Sequence, residues 1–114
     1  MINYNKIPIY KPSYELLTYF FVVLKNMKKE FKYSLCEDIR KNCFELLKNI
    51  NKASIKREGK KEILEDAKVS LEYIQLGIRL LNDIKEIKLK QFLHIQKLII
   101  DIDEQLNKWY NSIS

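Results

Sequence analysis

Apolar residues recur along this chain at alternating spacings of three and four, the period of one face of an α-helix. The spacing predicts four helices, over about residues 13–29, 34–51, 60–84 and 90–111. Pro8 and Pro12 disfavour helix before Ser13, so residues 1–12 are expected to form an N-terminal arm and residues 13–114 the helical domain. Ser34 and Glu37 have capping-box spacing, which predicts that the Ser34 hydroxyl caps the second helix.

Each predicted helix carries one continuous apolar stripe, and these stripes are the candidate core. They run from Leu17 to Phe31, from Cys36 to Ala53, from Leu64 to Leu81 and from Phe92 to Ile113. Since the connections between helices are short, the chain is predicted to be all-α, an antiparallel up-and-down four-helix bundle. Gly77 falls inside the third stripe, where it either permits a close helix approach or is simply tolerated.

Two of the predicted helices have more apolar surface than a four-helix core can bury. The first is apolar nearly all round, and the third has a second stripe of Val69, Tyr73, Leu76 and Leu80. Large exposed apolar patches usually mark interfaces, so we expect a homo-oligomer.

Composition excludes several classes of protein. The 114 residues include only two glycines, too far apart for a glycine-rich phosphate loop. Neither a signal peptide nor an apolar run long enough to cross a membrane is evident, so a cytoplasmic protein without a membrane partner is expected. Cys36 and Cys43, seven residues apart on one helix, are too distant to form a disulfide and are expected to be small buried residues.

No catalytic or metal-binding constellation can be drawn from the chain. His94 is the only histidine, and no Glu-x-x-His motif precedes it. The acidic stretch from Glu62 to Glu72 is typical of a solvated helix face with lysine partners. We therefore expect no enzyme activity, no cofactor and no metal.

The chain is basic, with 21 Lys and Arg against 15 Asp and Glu, a net charge of +6. In an up-and-down bundle the first and third connections share one end, where six lysines would gather: Lys28, Lys29, Lys32, Lys85, Lys88 and Lys90. Such a cluster either binds phosphate backbones or is a solvated end, and charge alone does not separate the two. A second basic segment, residues 52–61, falls at the opposite end.

Several segments, in this order and spacing, resemble the Avd-like proteins, the accessory variability determinants of diversity-generating retroelements. The segments are YELL at 14–17, SLCEDIR at 34–40, LxxIxxxIRLLxD at 71–83, LKQFxH at 89–94 and KWYNS at 108–112. Lys88 departs from the family pattern, which has a small capping residue there, so a local difference in that turn is expected.

The resemblance implies a four-helix protomer assembled into a homopentamer that binds RNA or DNA and associates with the retroelement reverse transcriptase. It further implies support for mutagenic copying of template RNA into cDNA without a catalytic centre. Arg40 and Arg79 match basic positions of the family pattern and, with the six lysines, are the candidate contacts to nucleic acid or polymerase. The bundle proteins encoded in rRNA intervening sequences are the alternative; they would act as oligomeric scaffolds through protein–protein contacts.

Overall fold

A computed structural model describes residues 7–113, and all regular structure in that part of the chain is helical. The helices are α1 (Tyr10–Leu24), α2 (Lys29–Lys32), α3 (Leu35–Ile55), α4 (Lys60–Asp83) and α5 (Leu89–Ser112). Four are long and α2 is a single turn. The predicted all-α four-helix fold is confirmed.

The long helices pack in a ring in which each contacts two neighbours: α1 lies against α3 and α5, and α4 lies against α3 and α5. The contact between α3 and α4 is the most extensive. Across the α4–α5 contact, Lys68 Nζ donates to Asn107 Oδ1 at 3.1 Å and Gln96 Nε2 to Gln75 Oε1 at 2.9 Å. Residue numbers rise on α4 as they fall on α5, so these two helices are antiparallel.

Most of the core comes from the predicted stripes, with Leu16, Val23, Leu47 and Leu98 buried beside them. Every stripe residue from Cys36 to Ala53 on α3 and from Leu64 to Leu81 on α4 is buried. Gly77 lies on the face of α4 that meets α3, where a Cβ atom would stand 2.5 Å from Ile39 Cγ1 and 2.7 Å from Ile39 Cδ1. Its role is therefore close helix approach, one of the two alternatives that the sequence left open.

The predicted helix ends need three corrections. The first helix begins at Tyr10 rather than Ser13, because proline is tolerated in a first turn that has free N–H groups anyway, and Pro12 lies in that turn. It ends at Leu24 rather than near residue 29, so Met27 and Phe31 belong to the following segment. The second long helix continues to Ile55, past the predicted end at residue 51. Residues 1–6, part of the predicted arm, lie outside the described residues.

The capping box predicted at Ser34 is wrong. The Ser34 hydroxyl donates to the carbonyl oxygen of Glu30 at 2.7 Å, and the Glu37 carboxylate pairs with Arg40. The physical reason is α2, which ends just before Ser34 and offers the hydroxyl a carbonyl acceptor.

Cys36 and Cys43 are free thiols on the buried face of α3, as predicted. Burial raises the pKa of the Cys43 thiol to about 12. Burial, with a smaller contribution from the Glu86 carboxylate, raises the pKa of Cys36 to about 11. Both are thus core residues that stay protonated at neutral pH. Within residues 7–113, no helix combines the length and apolarity needed to cross a membrane.

Candidate nucleic-acid interface

The α1–α3 and α4–α5 connections lie at the same end of the bundle, because neighbouring long helices alternate in direction. The effect of the Glu86 carboxylate on Cys36 agrees with this arrangement, since it places the α4–α5 turn near the start of α3. We call this end, with Lys28, Lys29, Lys32, Lys85, Lys88 and Lys90, the lysine end.

In the α1–α3 connection, a buried apolar side chain fixes the backbone and leaves the neighbouring lysines exposed. After Leu24 the chain forms a tight turn in which Met27 N–H donates to Leu24 O at 3.1 Å, and the Met27 side chain is buried. Lys28 is extended, with φ −64° and ψ 143°, which separates α2 from α1. Lys28 and Lys29 are exposed as a result, and Lys32 is half-buried.

The α4–α5 connection begins with a Schellman motif. Glu86 N–H donates to Leu81 O at 2.9 Å and Lys85 N–H to Asn82 O at 3.0 Å. This pattern requires a left-handed residue after the helix, a position that glycine usually occupies. Here it is Lys85, with φ 61°, and among residues 7–113 no other non-glycine residue has positive φ.

The start of α5 differs from the usual cap, in line with the expectation for Lys88. The Lys88 side chain makes no capping bond; instead the Gln91 carboxamide oxygen accepts from the Lys88 N–H at 2.9 Å. A side chain of the helix itself, Gln91, therefore supplies the cap, and the ammonium group of Lys88 remains in solvent.

The lysine end carries more cations than anions. Within residues 7–113, none of its six ammonium groups forms an ion pair with a carboxylate. Lys32 Nζ makes a long contact, 3.5 Å, to the carbonyl oxygen of Lys25. Glu30, Asp83 and Glu86 belong to the same connections, so about half of the positive charge is balanced at a distance.

The two predicted arginines lie within about two helical turns of the lysine end but on different sides of the α3–α4 pair. Arg40 pairs with the Glu37 carboxylate, and its Cζ lies 6.0 Å from the ring centre of Phe21 on α1. Arg79 is exposed on α4, one turn after Gln75, which faces α5. The structure therefore does not bring them together. The sequence signal for the pairing of Arg40 is its three-residue spacing from Glu37 on one helix.

The second apolar stripe predicted on the third helix is exposed, as its position implied. Two carboxylates precede the stripe on the same face of α4. Together we call these exposed residues the α4 row: Glu62, Asp66, Val69, Tyr73, Leu76, Leu80 and Ile84. Leu76 is 61% exposed. A contiguous exposed apolar patch of this kind is typical of an interaction surface rather than of a solvated helix face.

The outer face of α1 follows the same spacing with different chemistry. The α1 row consists of Lys11, Tyr14, Thr18, Phe21 and Lys25, all exposed. Val23, predicted as surplus apolar surface, is buried, and Tyr19 packs on His94 with ring centres 4.3 Å apart. The excess on this helix is therefore smaller than predicted and mainly aromatic.

His94 has a structural environment between α1 and α5. Beside its contact with Tyr19, His94 Nε2 lies 3.7 Å from Glu15 Oε1. In the described part of the chain, no group of three or more His, Cys, Asp or Glu side chains converges as metal ligands would.

These features define a class: an all-α bundle with a lysine-rich end and an apolar outer face. A sequence model of the bAvd-like family matches residues 3–113, nearly the whole chain. The chain therefore belongs to the bAvd-like family and is an Avd-like accessory protein. It matches no curated protein.

Proposed function

We propose that this protein is a non-enzymatic, nucleic-acid-binding accessory of a retroelement reverse transcriptase. In this role it supports mutagenic cDNA synthesis from template RNA. Membership of the bAvd-like family supports the association with a retroelement. The observation that carries the binding activity is the lysine end, where six ammonium groups lack carboxylate partners within residues 7–113.

Unpaired surface lysines bind phosphates by releasing condensed counterions, which gives affinity without base recognition. Lys85 strengthens this assignment. A left-handed residue other than glycine costs roughly 1–2 kcal/mol, yet lysine occupies that position. Strain of this kind persists only where the surrounding structure imposes it, and it is concentrated at functional sites. A cation displayed at the turn is such a function.

We further propose that the protein is a homo-oligomer, a pentamer by its family, in which the α4 row is buried against another copy. Burying exposed Tyr73, Leu76 and Leu80 removes apolar surface from water, which favours association. Rotational symmetry would then repeat the lysine end around one axis and multiply its charge.

The arginines, Arg40 and Arg79, flank that end and are proposed contacts for nucleic acid or the polymerase. The proposed role is cytoplasmic and needs no cofactor, metal or membrane.

A salt titration of binding to labelled RNA and DNA tests the proposal. Charge reversal at Lys28, Lys29, Lys85 and Lys88 should weaken binding at least tenfold and flatten the dependence on salt. The matched control reverses four charges at the opposite end: Lys56, Arg57, Lys60 and Lys61. Equal losses in both variants would contradict an interface at the lysine end, and absence of binding by the wild type at low salt would refute nucleic-acid binding.

The polymerase contact is tested by copurification. Wild-type protein co-expressed with the reverse transcriptase of the same retroelement should be retained on the tagged enzyme after nuclease treatment. Arg79→Glu should reduce retention, with Lys97→Glu, an exposed cation of α5, as the control. Retention that disappears with nuclease would mean that nucleic acid alone bridges the two proteins.

One observation favours a second function, an oligomeric scaffold acting through protein–protein contacts. The α4 row is mainly aliphatic and begins with two carboxylates. These side chains suit a contact with another protein rather than a contact with phosphates. A protein that assembles but binds neither RNA nor DNA at low salt would be this scaffold.

A further inference from the structure

A second surface, with exposed cations and aromatic rings, lies where α1 packs against α3, away from the tip of the lysine end. On α1 it consists of the α1 row. On α3 it consists of Arg40, which reaches the Phe21 ring, and Phe44, one helical turn further along the same face. We propose that this α1–α3 surface binds single-stranded nucleic acid by stacking unpaired bases on its aromatic rings.

The rings are available to a ligand. Tyr14 is 53% exposed, Phe21 40% and Phe44 53%. Tyr14 stacks on Tyr10, with ring centres 6.3 Å apart and planes 13° from parallel, so its ring is held in place. Held, exposed rings lose little freedom when a base stacks on them, and such stacking tolerates any base sequence.

Cations flank the rings on both helices, where they can contact phosphates. Lys11 and Lys25 bracket the α1 row and stand about 21 Å apart along the helix. On α3, Lys41 and Lys48 lie three to four residues on either side of Phe44, and both are exposed. Of the three carboxylates in this α3 stretch, Glu37 pairs with Arg40, while Asp38 and Glu45 are exposed. Aromatic rings interleaved with cations are the pattern of sequence-independent single-strand binding.

The α4 row, on another helix, shows why the occupant is nucleic acid rather than a second copy of the chain. It is mainly aliphatic and begins with Glu62 and Asp66, so phosphates would be repelled there. The α1–α3 surface combines aromatic rings with lysines and an arginine instead. This inference rests on the proposed nucleic-acid binding and adds to it a strand preference and a second surface.

The test compares three labelled probes: oligothymidylate, an abasic strand of equal length, and a duplex of equal length. Phe21→Leu combined with Phe44→Leu keeps apolar side chains but removes the rings. We expect roughly tenfold weaker binding of oligothymidylate, with binding of the abasic strand and the duplex unchanged. Leu93→Ala on α5, which removes an exposed apolar side chain outside both rows and leaves every ring in place, is the control and should bind all three probes like the wild type.

A second readout is photocrosslinking of a strand that carries 5-iodouracil, which should attach to peptides containing Tyr14, Phe21 or Phe44. Equal losses on the strand with bases and the abasic strand would overturn the stacking proposal. So would a change in oligomeric mass of the double variant, which would identify the surface as a contact between copies. If the wild type bound no probe at all, the proposed function would fall as well; intact binding with no effect of the double variant would remove only this inference.

Discussion

Helices α1 and α4 run in the same direction and finish at the same lysine end, yet their outer faces differ. The α1 row is aromatic and bracketed by Lys11 and Lys25, whereas the α4 row is mainly aliphatic and begins with Glu62 and Asp66. The spacing of three and four is common to both. Periodicity therefore identifies two exposed apolar faces. Whether such a face suits a polyanion or another protein chain depends on the residue types within it.

The largest expected effect is on assembly. Leu76→Glu with Leu80→Glu places two charges in the α4 row, and an unpaired charge buried at an interface costs several kcal/mol. We expect the variant to have the mass of a single chain by light scattering. The matched change on α1, Thr18→Glu with Val22→Glu, places two charges at exposed positions with the same spacing and should leave the mass of the assembly unchanged. Dissociation by the α1 variant alone would reverse the assignment of the two faces.

The next largest effect concerns the buried side of α4. Gly77→Ala puts a methyl group where Ile39 Cγ1 would be 2.5 Å away, and Ile39 is itself buried. We expect a loss of roughly 1–3 kcal/mol in the free energy of unfolding, measured with urea.

The sign of that effect should depend on Ile39. In the background of Ile39→Ala the clash is absent, so Gly77→Ala should stabilise the protein by up to about 1 kcal/mol through helix propensity. Destabilisation of similar size in both backgrounds would mean that the close approach to Ile39 is not the cause.

A smaller effect is expected at the end of α4, where one substitution should increase stability and weaken nucleic-acid binding. Lys85→Gly relieves the left-handed strain and should raise the free energy of unfolding by roughly 1 kcal/mol. It also removes one cation, so the slope of log affinity against log salt should become shallower by about 0.9 for each phosphate that this lysine neutralises. Lys90→Gly, within the first turn of α5, serves as control and should destabilise the fold. A stabilised Lys85→Gly protein with unaltered binding would leave the strain at Lys85 without a role in function.

The smallest effect is expected at the thiols of α3, the helix that separates α1 from α4. Since burial raises the pKa of Cys43 to about 12, against an ordinary value of 9.0, the folded thiol stays protonated at pH 9. Iodoacetamide should therefore label it negligibly until urea unfolds the chain. As the pH rises from 9 towards 12, the unfolded chain loses thiol protons that the folded chain retains, so the free energy of unfolding should decline. Rapid labelling of the native protein at pH 9 would show that α3 opens locally.

The sequence predicted the buried stripes well because a helix repeats its core face regularly, as from Cys36 to Ala53. Helix ends were predicted less well. The start at Tyr10 depends on how Pro12 fits a first turn, and the role of Ser34 depends on the carbonyl of Glu30, which α2 supplies. Both are local three-dimensional arrangements that spacing does not encode.

The candidate site divides in the same way. The position of six lysines at one end was predicted, because in an up-and-down bundle of four helices the first and third connections share an end. The left-handed conformation of Lys85 was not, because glycine is the usual sign of such a turn and is missing there. The contact of Arg40 with Phe21 joins two helices, so no pattern along the chain reveals it.

The close approach at Gly77 also bears on the order in which the chain folds. Helices α3 and α4 are joined by the short connection 56–59 and make the most extensive contact in the bundle, so their pairing buries the most surface for a small loop-closure entropy. We expect this hairpin to be formed in the folding transition state, with α1 and α5 docking later. Gly77→Ala should then slow folding more than it speeds unfolding, whereas Leu16→Ala on α1 should mainly accelerate unfolding in stopped-flow measurements.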